Sequence, residues 1–315
     1  MNEHEKQTKK EKGKAFEQLI KSILIGAGFT PVPSEFPYAF DGPAGQMVHG
    51  LGQAHNADVL VEPIAQIPFY YPSRLIIECK NYNKKIGLNI IRSAFGMRED
   101  INSFEIVNEE ILRKRERPGG QYGASTFQRY YYQVGVASFN SFTKEAQEFA
   151  DAHRIPLIPF KDLPIPNKLL QYVLDDNGQY ILDRQAVNNE DFNKLCEEVS
   201  QNTAIGMLDN GQIVFLYNIN ETGVDFNSDT YNLRTDKNKD RMKHWSLKCD
   251  DREYAFQLPK LLYDKWENTV KEKDKEKENK SIIRFKNDYL ANMVVYYRHN
   301  DIPRIKMLSI TADGV

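Results

Sequence analysis

Cysteine is scarce. Cys79, Cys196 and Cys249 are odd in number and far apart, and no Cys-x-x-Cys pair occurs. This excludes a disulfide framework and a structural zinc site of the usual spacing, and makes a reducing cytoplasm the expected compartment. No apolar run approaches the roughly 18 residues that a membrane-spanning helix needs, so no membrane span is expected. Met1 to Lys14 is charged and has no apolar segment, so it does not read as a secretory signal. Charge of one sign is not in excess either. The chain has 42 Lys and Arg against 44 Asp and Glu, a formal net charge of -2. Global charge therefore announces no nucleic-acid partner, and any such surface has to be local.

At 315 residues the chain exceeds one small domain, so two domains are expected. Pro164 and Pro166 mark the boundary, giving units 1–165 and 166–315. In the first unit, Phe16, Leu19, Ile20, Ile23, Leu24 and Ala27 recur on one face of a helix over about Thr8 to Ala27, with Gly28 as its left-handed cap. Glu17 lies at the margin of that stripe, about 100° around from Phe16, and on position alone reads as an exposed glutamate. Phe29 to Ala57 is rich in Pro and Gly and shows no periodicity. It reads as a long functional or mobile loop, with His49 and His55 as loop residues.

Ala57 to Glu62 and Arg74 to Lys80 read as neighbouring strands joined by a short turn region. The second ends in Glu78-Cys79-Lys80. Alternation puts Glu78 and Lys80 on one face and Cys79 on the other, and pairing would bring Asp58 beside them. Next come a helix from Leu88 to Phe104, with Arg92 and Arg98 among its polar positions, and an irregular stretch over 106–128. In that stretch Arg113-Lys114-Arg115-Glu116-Arg117 forms a basic loop suited to a phosphate backbone. A strand at Tyr131 to Ser138, a helix at Thr143 to His153 capped by Asn140 or Ser141, and a strand at Ile155 to Phe160 form a right-handed crossover between parallel strands.

A short helix over Asn167 to Val173 and a loop at Asp175 to Gly178 open the second unit. Its other signals are hairpins: Ala204 to Tyr217 around Asn210-Gly211, which suits a type I′ turn, Trp245 to Leu258, and Val294 to Ile310. Lys265 to Lys280 alternates in charge and reads as a solvated helix or loop.

Asp58, nineteen residues, then Glu78-Cys79-Lys80 matches D-x(n)-E-x-K. Two carboxylates suit a hard cation such as Mg²⁺, and a lysine beside them can position an attacking water or stabilise the charge growing on a phosphate. As a bare pattern it is common.

Its surroundings are more specific. Gly13-Lys14-Ala15-Phe16-Glu17-Gln18-Leu19-Ile20 with Gly28-Phe29, then Ala57-Asp58-Val59, then Ile77-Glu78-Cys79-Lys80-Asn81-Tyr82 come first. Ile90-Ile91 follows, and then Ser141-Phe142-Thr143-Lys144-Glu145-Ala146 with Phe149-Ala150, leading to Ile155-Pro156-Leu157-Ile158. In this order they resemble the PD-(D/E)xK nuclease superfamily, and more narrowly the Mrr-like restriction endonuclease domain. The resemblance covers about Lys10 to Phe160.

It implies an α/β fold with an αβββαβ core, a mixed sheet flanked by helices; the hairpin signals of the second unit add an α+β domain. It implies that Asp58, Glu78 and the Cys79 carbonyl hold Mg²⁺ or Mn²⁺. Lys80 would be the catalytic lysine, and Glu17 would assist the metal, against the bland reading above. The expected activity is a metal-dependent endonuclease of a restriction or defence type on double-stranded DNA, and cutting both strands would call for a homodimer. Lys84, Lys85, Arg92, Arg113, Lys114, Arg115 and Arg117 are candidate backbone contacts, and the second unit would recognise DNA or dimerise. A non-cleaving DNA-binding or scaffold protein and a junction or recombination nuclease are the alternatives.

Overall fold

The structure is a computed structural model. It describes residues 3–35, 37–43, 45–66, 69–104, 129–164, 169, 171, 173–175, 190–235, 245–270 and 275–311. The fold is mixed α/β, with a five-stranded sheet, a small three-stranded sheet and a closed seven-stranded barrel.

Helix α1 (Glu3–Gly26) buries the stripe that the sequence marks, from Phe16 to Ala27. Phe16 packs edge-on against Phe139 and Phe160, and burying such a side chain contributes about 1.5–3 kcal/mol. Gly28 ends the helix at φ +97°, where its N–H reaches Ile25 O and the Phe29 N–H reaches back to Leu24 O. That doubly bonded, left-handed end favours glycine.

The five-stranded sheet holds β1 (Thr30–Pro31), β5 (Val59–Glu62), β6 (Ser73–Lys80), β7 (Tyr131–Ser138) and β8 (Leu157–Pro159), in that spatial order. β5 and β6 are antiparallel, while β6, β7 and β8 are parallel. Helices α2 (Leu88–Ser103) and α3 (Lys144–Ala152) cover one face, and α1 covers the other. Both faces of β6 are thus buried, which explains its unbroken apolar run from Leu75 to Ile77.

The expected loop over 29–57 is corrected. It contains β1 and a three-stranded sheet of β2 (Ala39–Gly42), β3 (Gly45–His49) and β4 (Ala54–Asn56). Its strands are three to five residues long and bury few side chains, Ala39 and Val48 among them, so no period of two is visible. His49 lies between the rings of Phe40 and Phe104, and His55 Nε2 pairs with Asp100 Oδ2 at 2.7 Å.

Other expectations shift as well. Arg98 is buried, not a polar-face residue. Its guanidinium donates to His153 O at 2.8 Å and meets Gln133, which ties α2 to β7 and α3. Thr143, rather than Asn140 or Ser141, caps α3, its hydroxyl accepting from the Ala146 N–H. The 106–128 stretch with its basic loop, residues 176–178, and 167–173 apart from 169, 171 and 173 lie outside the described residues.

Helix α4 (Glu190–Gln201) leads into the barrel, whose strands are β9 (Thr203–Leu208), β10 (Ile213–Asn218), β11 (Thr230–Thr235), β12 (Trp245–Cys249), β13 (Arg252–Phe256), β14 (Asn292–His299) and β15 (Ile302–Thr311). All pairings are antiparallel except β11 with β15, which closes the ring. At the β9–β10 turn only Gly211 has positive φ, and its N–H bonds Leu208 O. The turn is therefore a three-residue one with a left-handed glycine, not the two-residue type I′ turn expected from Asn-Gly.

Ala204, Leu208, Val214 and Leu216 fill the barrel, while Ile205, Phe215 and Tyr217 point outward into the core under α1 and α4. The charged stretch expected to be solvated runs through α5 (Lys260–Val270) and α6 (Lys275–Tyr289), with 271–274 outside the described residues. Trp266 in α5 and Phe285 in α6 are buried against Trp245 of the barrel, so one face of this pair is core. Among the described residues no helix is long and apolar enough to cross a membrane.

Candidate functional site

The β5–β6 register pairs Val59 with Ile77. One residue earlier on the first strand and one later on the second, Asp58 comes opposite Glu78. Asp58 Oδ2 accepts the backbone N–H of Cys79 at 2.8 Å, and Asp58 Oδ1 accepts from Asn56 Nδ2 at 2.7 Å. Glu78 and Lys80, two apart on β6, share a face as alternation requires, with Lys80 Nζ 2.6 Å from Glu78 Oε1. Glu17 reaches this group from α1, and its Oε2 lies 3.4 Å from Lys14 Nζ.

The electrostatics bind these side chains into one cluster. Burial, and then the negative charge of Asp58, push the Glu17 carboxyl above its usual pKa. Burial also raises Asp58, with Glu78 adding to it, against the Cys79 N–H bond and the nearby Lys80 and Lys14 charges. For Lys80, burial works against the ammonium. The charge and hydrogen bond of Glu78, with Asp58 beyond, outweigh it and hold the lysine above its ordinary pKa. Cys79 is raised far above a usual thiol by burial and then by Asp58 and Glu17, so it stays a neutral thiol. Its flank packs on the α1 core, away from Glu78 and Lys80.

Asp58, Glu78, Lys80 and Glu17 are thus brought together. Lys84 and Lys85 are exposed in the loop after Lys80, and Arg92 is exposed on α2, near the Phe149 ring. Arg113, Lys114, Arg115 and Arg117 lie outside the described residues. Two neighbours escaped the sequence reading. Asn56 stands two positions before Asp58, the spacing that puts extended residues on one side, and Lys14 stands one helical turn before Glu17. A Cβ at Gly45 would sit 3.5 Å from both Asn56 Oδ1 and Lys14 Nζ, so the start of β3 forms a lip of the site.

The donors are carboxylate oxygens, the chemistry that Mg²⁺ takes, commonly one or two carboxylates with waters completing its shell. Asn56 Oδ1 is buried with no hydrogen-bond partner among the described residues, a further hard oxygen beside Asp58. The crowding of Glu17, Asp58 and Glu78 favours a cation on electrostatic grounds. Among the described residues, however, no three His, Cys, Asp or Glu are already arranged as a metal-binding group. The residues fit a Mg²⁺-like ion in chemistry and charge.

A cavity of about 690 Å³ lies elsewhere, between α3, β8 and the start of α5. Phe142, Leu157, Leu163, Phe215 and Leu258 line it, with Lys85 at one wall, and none of Glu17, Asp58, Glu78 or Lys80 opens onto it.

No protein-family model matches the chain. No curated protein matches it either. A crystal structure of a protein of unknown function, AF1548, is similar at 16% identity over 57% of this chain and 96% of that one, with a TM-score of 0.28, too slight a likeness to carry an argument.

Proposed function

We propose that the chain is a Mg²⁺-dependent DNA endonuclease of a restriction or defence type, acting through Asp58, Glu78, Lys80 and Glu17. One observation carries the reading: Asp58 and the Glu78–Lys80 pair stand together where two paired strands end, with Glu17 drawn in from α1. The order α1, β5, β6, β7, α3, β8, with β1 to β4 inserted before β5 and α2 before β7, supports the reading as an αβββαβ nuclease core. A divalent cation held by Asp58 and Glu78 would polarise the phosphate and lower the pKa of a bound water.

The protein's own groups have separable roles. The Cys79 N–H and the Asn56 amide fix both oxygens of Asp58, so the carboxylate is oriented before substrate arrives. Lys80 is held above its ordinary pKa and stays protonated at neutral pH, so it serves as a cation facing the developing phosphorane rather than as a base. Lys84, Lys85 and Arg92 would meet the phosphate backbone. Duplex cleavage calls for two such sites, supplied by a homodimer, and the barrel would recognise DNA or mediate pairing.

The test is nicking of supercoiled plasmid in Mg²⁺ by the wild type, Asp58→Ala and Lys80→Met. Each variant is expected to lose at least about 100-fold. Equal behaviour of all three on methylated, unmethylated and branched DNA would defeat the reading. The close Lys80–Glu78 pair favours a second reading, a DNA-binding scaffold in which lysine and carboxylate neutralise each other. DNA retention without cleavage in the same assay would support it.

A further inference from the structure

Ser138 closes β7. It is fully buried, and its hydroxyl has no hydrogen-bond partner among the described residues. Burying a hydroxyl unpaired is unfavourable, so its position calls for a reason. The parallel β6–β7 register sets Ser138 beside Lys80. In-register residues of neighbouring strands project to the same face, with the strands about 4.8 Å apart. Ile76, Val134 and Val136 of these strands belong to the core beneath α2 and α3, so alternation places Glu78, Lys80 and Ser138 on that face as well. The Lys80 ammonium now bonds Glu78. It carries three N–H donors, and a serine oxygen offers two acceptor lone pairs.

We propose that Ser138 is the second seat of the Lys80 ammonium. When the Glu78 carboxylate is engaged by another cation, Lys80 turns to the buried hydroxyl one strand away, which keeps the ammonium at the site. Ser138 is then a positioning residue, and this deepens the nuclease reading and rests on it for its catalytic consequence. The placement explains why a polar atom is kept unpaired in the core: it is the acceptor for a second position of the lysine.

The decisive experiment needs no cleavage. Thermal unfolding of the full chain without metal is measured for wild type, Ser138→Ala, Glu78→Ala and the double variant, with Glu78→Gln as a second background. In wild type, Ser138→Ala removes an unpaired hydroxyl and is expected to hold or raise Tm. With Glu78 truncated, Lys80 loses the carboxylate it bonds and turns to Ser138, and the same change is expected to lower Tm. Such a reversal of sign is a coupling between the two sites. An effect of one sign in both backgrounds would overturn the proposal.

The catalytic arm compares nicking in Mg²⁺. Ser138→Ala is expected to lose about tenfold to a hundredfold in kcat with KM for DNA unchanged, and Ser138→Thr, which keeps the hydroxyl, is expected to restore most of it. Unchanged kcat in Ser138→Ala counts against the second seat. A wild type that does not nick ends the nuclease reading, and the stability cycle still decides the Lys80–Ser138 contact.

Discussion

Glu17 and Asp58 share a problem that a lone carboxylate does not have. Each is partly buried, and Glu17 lies in the negative field of Asp58 as Asp58 lies in that of Glu78, so both hold a proton more tightly in the folded chain than in the unfolded one. Protons bound by the native state alone favour it. Stability from these two groups is therefore full at and below the ordinary carboxylate range and is lost as pH rises through their raised native pKa values. Replacing Glu17 by Gln and Asp58 by Asn removes the titration. The double variant is expected to gain Tm relative to wild type as pH rises from about 4 to about 7, and saturating Mg²⁺ is expected to stabilise only the wild type. Calorimetric scans across that range check it, and a difference that is flat in pH would contradict the crowding. At this scale Asp58, Glu78 and Lys80 were legible from residue type and spacing. Asn56 and Lys14 were not, because an amide and a helix lysine gain meaning only once the start of β3 at Gly45 and the side chain of Glu17 are placed around them.

Among the elements, α1 carries Glu17 into the site, so what holds α1 matters for the chemistry. Part of that hold is a close crossing with α4. A Cβ on Gly26 would fall 2.2 Å from the Ser200 Cβ and 2.6 Å from its Cα, and the Ser200 hydroxyl bonds Ser22 O at 3.0 Å. Gly26→Ala is expected to force the helices apart and to cost about 1–3 kcal/mol, as overpacking does. Urea denaturation checks the size, and adding Ser200→Gly is expected to recover part of the loss. An unchanged midpoint in Gly26→Ala would mean that the crossing is loose. Sequence pattern exposed α1 and α3 because each buries a regular stripe against a neighbour, and β5 and β6 because each is a short apolar run buried on both faces. It missed β2 to β4, whose strands are too short to show alternation. Barrel closure was hidden for another reason. The β11–β15 pairing joins residues some eighty positions apart, and no local pattern encodes a contact of that span.

Across the whole molecule the hydrophobic core ignores the proline-rich boundary. Phe16 and Leu19 of α1, Phe192, Cys196 and Val199 of α4, and Ile205, Phe215 and Tyr217 from the outer face of the barrel belong to one buried cluster. Polar ties run alongside, with Gln212 Nε2 donating to Asp151 Oδ1 at 2.8 Å and Arg298 Nε reaching Ile25 O. Opening either side would uncover the same apolar surface, so the chain is expected to unfold in one cooperative step. Two native probes report from different places. Trp245 and Trp266, the chain's two tryptophans, are buried in the barrel and under α5. Cys196 sits in the shared core, its thiol pushed up to about 12 by burial. Tryptophan fluorescence and Cys196 alkylation, the latter read peptide by peptide by mass spectrometry, are expected to share one urea midpoint. Alkylation at a lower midpoint would show that α4 and α1 part while the barrel stands, and the two units would then be independent bodies joined by a weak seam.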